Sequence, residues 1–137
     1  MKHIPVLLSI VIALLALSCI TGTVNIPGEL SPAEIIQRAQ EASDRNRYNV
    51  ALQYYEALLE RNRNNIDLVC AAEYEIAFIH YKQKNYTRAR EEFKTLINRY
   101  ETSSEKLPPQ YRLLSEKVLE RIDEKEKPVL KKRNSKK

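Results

Sequence analysis

Glycine is nearly missing from this chain. Of 137 residues only Gly22 and Gly28 are glycine, both before residue 29, so no glycine-rich loop can cradle a phosphate. No segment alternates apolar and polar residues with period two over a useful length, which leaves no case for a sheet and makes an all-helical body the consistent reading. Histidine is as scarce: His3 and His80 are the only two. Without a second histidine nearby, a cysteine pair or a carboxylate cluster, no metal-ligand spacing occurs. No nucleophile stands beside a base either. These absences argue against an enzyme, and no cofactor is expected.

Basic residues outnumber acidic ones, and the formal net charge is +5. The location of that excess decides what it means. Lys2 lies at the start, and Lys131, Lys132, Arg133, Lys136 and Lys137 fall in the last seven positions, which leaves 17 basic against 18 acidic residues between. The body is therefore near neutral and has no basic stripe of the kind a nucleic-acid groove requires. At this length, with 43% hydrophobic residues, the chain makes one small domain with appendages.

What is present is helical spacing. In residues 71–100 two such patterns meet at one short polar turn. Ala72, Ile76, Ala77 and His80 recur before it; Tyr86, Ala89, Phe93, Leu96, Ile97 and Tyr100 recur after it. A turn as short as Lys84 and Asn85 forces the helices back to back, with Asn85 able to tolerate a left-handed backbone and to cap the second helix. The unit occurs once more upstream. Tyr48, Ala51, Tyr55 and Leu58 repeat the spacing of Tyr86, Ala89, Phe93 and Leu96 at an offset of 38 residues. Arg88, Arg90, Glu91, Glu92 and Lys94 look like exposed i, i+3 and i+4 pairs.

A small residue late in the first helix, Tyr-x-x-Ala opening the second and an aromatic four residues later resemble the tetratricopeptide repeat, most closely through YKQKNYTRAREEF. Glu73 stands where that family usually has a large aromatic, and Lys84 where a turn glycine is common. The usual period there is about 34 residues, so a longer loop around residues 63–65 is expected to account for the excess. The resemblance implies two antiparallel helix pairs, about residues 31–63 and 66–100. His80 falls where the family commonly has tyrosine, which implies a structural histidine packed between helices.

The first pair opens on Ser31, Pro32 and Glu34: a cap hydroxyl, a proline at the first helical position and a glutamate that can reach back to the cap. Ile35, Ile36, Ala39 and Ala42 give the helix that follows its apolar side. After the second pair, Pro108 and Pro109 can only begin a helix. That fifth helix, about 108–123, carries Tyr111, Leu114, Val118 and Ile122 at helical spacing and can cap the open end of the array. Repeat arrays need about three units or a cap to bury their ends, so marginal stability is expected of a domain spanning 31–123.

Residues 1–18 read as a secretory signal peptide: Lys2 at the start, an apolar run over 4–17 and small residues before Cys19. The run is shorter than the ~20 residues of a spanning helix. ALSC resembles a bacterial lipobox, with Ala16 where Leu is usual, and that resemblance implies acylation of Cys19. Cys70 then has no partner and is expected as a free, helix-packed thiol. Residues 19–30 hold both glycines and Pro27 without periodicity, and read as a flexible tether. From Glu124 the pattern dissolves, so residues 124–137 read as a disordered basic tail, either a solubilising end or a contact for anionic surfaces.

Together these readings give an all-α, lipid-anchored protein of the bacterial cell envelope, in the periplasmic leaflet or the outer membrane. Its expected partner is a protein or peptide; a self-associating surface lipoprotein is the alternative, and no nucleic acid is expected. Repeat proteins of the resembled family line a groove with the first helix of each pair, and such envelope lipoproteins serve as scaffolds in outer-membrane or cell-wall assembly. The corresponding positions here are Tyr74, Phe78, Tyr81 and Lys82 with Ile36, Gln40 and Asp44. The three aromatics fall at i, i+4 and i+7 and form one stripe, open either to a partner or to a neighbouring helix.

Overall fold

A serine, a proline and a glutamate set where the first helix begins, and the computed structural model, which describes residues 22–134, bears this out. Ser31 caps α1 (Pro32–Asp44), its side chain accepting from the Glu34 amide while the Glu34 carboxylate accepts from the Ser31 amide. Four more helices follow: α2 (Tyr48–Arg61), α3 (Ile66–Lys82), α4 (Tyr86–Thr102) and α5 (Pro109–Asn134). There is no strand among the described residues, and the fold is all-α, built of helix pairs. No helix among them is long and apolar enough to cross a membrane.

The two pairs, α1 with α2 and α3 with α4, turn in the same way. In the first turn the Arg47 amide donates to Ala42 O at 2.8 Å and Asn46 N to Ser43 O at 3.0 Å; in the second, Asn85 N reaches His80 O at 2.9 Å and Lys84 N reaches Tyr81 O at 2.9 Å. Both are the paired bonds that satisfy the last carbonyls of a helix through a left-handed residue. Asn46 has φ 57° and Lys84 φ 62°. The left-handed residue of the second turn is thus Lys84, one position earlier than expected, while Asn85 caps α4 by accepting from Arg88 N.

A longer loop does not explain the 38-residue offset. The link 62–65 is short, and the first helices of the two pairs start 34 residues apart, at Pro32 and Ile66. The turns are 38 apart because α3 has 17 residues where α1 has 13. One added helical turn at the start of α3 absorbs the difference, and Asn65 caps it by accepting from Leu68 N.

The core is continuous through α3. Ala72 and Ile79 belong to a cluster with Ile35, Ala39, Ala51 and Leu58, whereas Cys70, Tyr74 and Ala77 belong to one with Phe93, Leu96 and Ile122. Alanines at 39, 51, 72, 77 and 89 are fully buried, which lets the helix axes approach. Phe93, Leu58 and Leu96 fill the space beside them, each contributing roughly 1.5–3 kcal/mol of burial. Burial raises the Cys70 thiol above its ordinary range, so this free cysteine is in its unreactive form.

The remaining segments depart from expectation. Residues 22–30 are bound along α2, not free. Val24 N donates to Gln53 Oε1 at 2.7 Å, Arg61 donates to the carbonyls of Ile26 and Pro27, and Val24, Ile26 and Leu30 lie against the first cluster. On α5 the inward stripe is Tyr111, Ser115, Val118 and Ile122, with Leu114 38% exposed and Leu113 53% exposed. The expected disordered tail is helical from Glu124 to Asn134. Glu and Lys are good helix formers, and Arg90 of α4 holds this stretch by pairing with Asp123 and Glu126 at 2.6 Å each. Arg90 therefore ties α4 to α5 instead of bonding along its own helix. The signal peptide and Cys19 lie outside the described residues.

Candidate functional site

Helices α1 and α3 leave a cleft of about 240 Å³ between them. It exists because Gln40, Ser43 and Asp44 end α1 with short or polar side chains while α3 presents Glu75, Phe78 and Lys82 at i, i+3 and i+7 of one face. Tyr55 of α2 completes the lining from below. Four of the positions expected at a partner groove, Gln40, Asp44, Phe78 and Lys82, are brought together here. Lys82 Nζ donates to Ser43 Oγ at 2.9 Å and lies 5.7 Å from the centre of the Phe78 ring. Tyr81, half-buried, extends the same wall by stacking on Phe78 at 5.6 Å, with Tyr86 at 5.8 Å on its other side.

Tyr74 is not part of this surface. It is 8% exposed, stacked on Phe78 at 5.9 Å and enclosed by Phe93 at 5.7 Å and by Tyr111 of α5 at 5.8 Å. The fifth helix covers the N-terminal end of the aromatic stripe and leaves its C-terminal end open, so the stripe divides between core and surface. Ile36 is likewise outside the cleft, half-buried against the first core cluster.

Three residues of the cleft were not expected: Ser43, Tyr55 and Glu75. Tyr55 is 2% exposed and its hydroxyl has no hydrogen-bond partner among the described residues. Burial, the Glu75 carboxylate and then Asp44 raise its ionisation far above the ordinary range, so it stays a neutral hydroxyl in a residue that lines the same cleft as two carboxylates. Burial also raises the Glu75 carboxyl; the Lys82 ammonium pulls it partly back and Asp44 adds to the rise. One sequence signal was available. Tyr55 is the counterpart, 38 residues back, of Phe93, so the first copy carries a hydroxyl where the second carries a plain ring.

Another face of α3 carries two ion pairs to α4, and there Glu73 Oε2 and Arg99 Nε are buried without a hydrogen-bond partner among the described residues. His80, 3% exposed, sits with Nδ1 2.6 Å from Glu92 Oε2, and Arg88 Nε donates to the other oxygen of Glu92 at 3.0 Å. This is the packed histidine that the sequence implies, joined to a carboxylate of α4. Glu73 pairs with Arg99. Burial raises the Glu73 carboxyl and Arg99 offsets part of that rise.

No family model matches the chain, and no solved structure matches it. It is similar to an uncharacterized protein of Treponema pallidum (strain Nichols), 35% identical over 99 residues. The aligned part is 72% of this chain and 40% of that protein, so the chain spans about two fifths of the relative's length.

Proposed function

We propose that this chain is a lipid-anchored envelope protein that acts as a binding module of the tetratricopeptide-repeat type, holding a protein or peptide partner and catalysing nothing. The observation that carries the reading is the open end of the aromatic stripe. Phe78 and Tyr81 remain half-buried beside Lys82 and the α1–α3 cleft, and a mixture of aromatic bulk and polar tips suits a binding hot spot. A role in outer-membrane or cell-wall assembly follows from the resemblance alone. The anchor would be Cys19, with residues 22–30, bound along α2, fixing how the domain leaves the membrane.

The test is a photo-crosslinking side chain in place of Tyr81, in cells, with Tyr81→Ala as a competitor-free control for stability. A discrete adduct with another protein, together with loss of the complex in a folded Tyr81→Ala variant, supports the module. No adduct in a folded, anchored protein refutes it. Self-association is the second reading, favoured by the exposure of Leu113 and Leu114 on α5; it requires an adduct of twice the chain's own mass. For the anchor, Cys19→Ser must abolish acyl labelling, and unchanged labelling and fractionation would remove the lipoprotein reading.

A further inference from the structure

Among the half-buried carboxylates of α3 and α4, one stands apart. Glu73 has Arg99, and Glu92 has Arg88 and a nitrogen of His80. Glu75 forms no ion pair and no hydrogen bond among the described residues, although it lines the α1–α3 cleft beside a second unpaired carboxylate, Asp44. The cation of the cleft itself, Lys82, donates to Ser43 Oγ at 2.9 Å and lies over the Phe78 ring, and it forms no ion pair with either carboxylate. Below them lies the Tyr55 hydroxyl, buried without a hydrogen-bond partner among the described residues. A buried hydroxyl and a desolvated carboxylate each cost stability unless something completes them.

We infer that the α1–α3 cleft receives a basic side chain, lysine or arginine, from the partner, with Glu75 and Asp44 as its counter-charges above the buried Tyr55 hydroxyl. The inference rests on the binding-module reading and names what that module recognises. Two carboxylates against one ammonium leave the cleft net negative, which disfavours an acidic peptide. The Phe78 ring beside the entrance suits the aliphatic stem of a long cationic side chain. The volume admits one such side chain and not a folded element, so the partner presents it from an extended or helical segment lying against Phe78 and Tyr81.

The probe is Nα-acetyl-lysine N-methylamide, which has a single charge, compared with its arginine and norleucine counterparts. Each is titrated into the full 15N-labelled chain in detergent micelles. Expected are saturable shifts of the Gln40, Ser43, Asp44 and Glu75 amides with the two basic compounds and not with norleucine. Glu75→Gln should weaken that binding at least about tenfold, the loss of one charge-assisted hydrogen bond. Tyr55→Phe should weaken it less while the melting temperature holds or rises, so the loss cannot be put down to unfolding. Equal shifts with norleucine, an affinity in Glu75→Gln within about twofold of wild type, or no saturable shift at these amides overturns the assignment. The Tyr81 crosslink separates the two readings. An adduct undiminished in Glu75→Gln sinks the basic-side-chain assignment and leaves the module standing, whereas lysine binding in a protein that gives no adduct keeps the cleft's chemistry and removes the module.

Discussion

Substituting glycine at the second turn should stabilise the protein, and the first turn supplies the control. Lys84 has φ 62°, in the left-handed region where a Cβ crowds the following carbonyl at a cost of roughly 1–2 kcal/mol. Glycine avoids that cost but surrenders about 0.5–1 kcal/mol of chain entropy. The side chain of Lys84 is exposed, and the turn's hydrogen bonds use only its backbone. Lys84→Gly is therefore expected to gain about 0.5–1 kcal/mol. Asn46 occupies the same place in the first turn at φ 57°, but asparagine tolerates that region, and its Oδ1 accepts from the Tyr48 hydroxyl at 2.7 Å. Asn46→Gly should be neutral or destabilising. Urea unfolding followed by helical circular dichroism measures both, read as a shift of midpoint at constant slope. A lowered midpoint in Lys84→Gly, or equal gains at the two positions, would refute the reasoning, because the strain would then not be specific to a residue intolerant of that backbone.

Phe93→Ala empties the centre of the second cluster, where the ring is fully buried, and should cost about 3–5 kcal/mol; a loss under about 1 kcal/mol in urea unfolding would place that ring outside a packed core. Ser31→Ala removes the cap hydroxyl of α1 and should cost about 0.5–2 kcal/mol. The hydrogen bonds from Ser31 hold the Glu34 carboxyl below its ordinary range. Because the folded value is the lower one, that stabilisation is present above the ordinary carboxylate range and is lost as pH falls through the folded value. The Ser31→Ala penalty should accordingly shrink in acid, and a penalty independent of pH would contradict the capping box. Deleting residues 125–137 removes the Arg90–Glu126 pair but keeps Arg90–Asp123, Val118 and Ile122. A partly exposed pair is worth about 0–1 kcal/mol, so the midpoint should move little, and a large drop would assign the end of α5 to the core.

Legibility followed the range of the interaction. The helix pairs, the start at Ser31 and the burial of His80 were readable because each depends on neighbours three or four residues away, or on a repeated spacing. The bound course of 22–30 was not, since nothing local links Ile26 and Pro27 to Arg61; the bonds span 34 and 35 positions. The continuation of α5 was missed for a related reason. EKEK reads as solvated charge until Arg90, on another helix, gives Glu126 a partner. Even the 38-residue offset pointed to the wrong place, because an inserted helical turn and an inserted loop have the same length in sequence.

The site divides along the same line, and the division bears on function. Spacing alone put Tyr74, Phe78 and Tyr81 on one stripe, which is correct, but only the position of Tyr111 decides that Tyr74 is core and Phe78 is rim. The most informative group, Tyr55, sits on a second helix, where the repeat pattern asks for a buried ring and gives no reason for a hydroxyl. A hydroxyl kept at such a position breaks the local rule at a cost, as does the half-buried Glu75 without an ion pair among the described residues. Departures of this kind concentrate where a protein binds something. Glu73 and Glu92, on neighbouring turns of the same helix pair, show that this fold readily supplies partners to half-buried carboxylates. That the cleft between α1 and α3 does not do so is the reason to look there for the partner's charge.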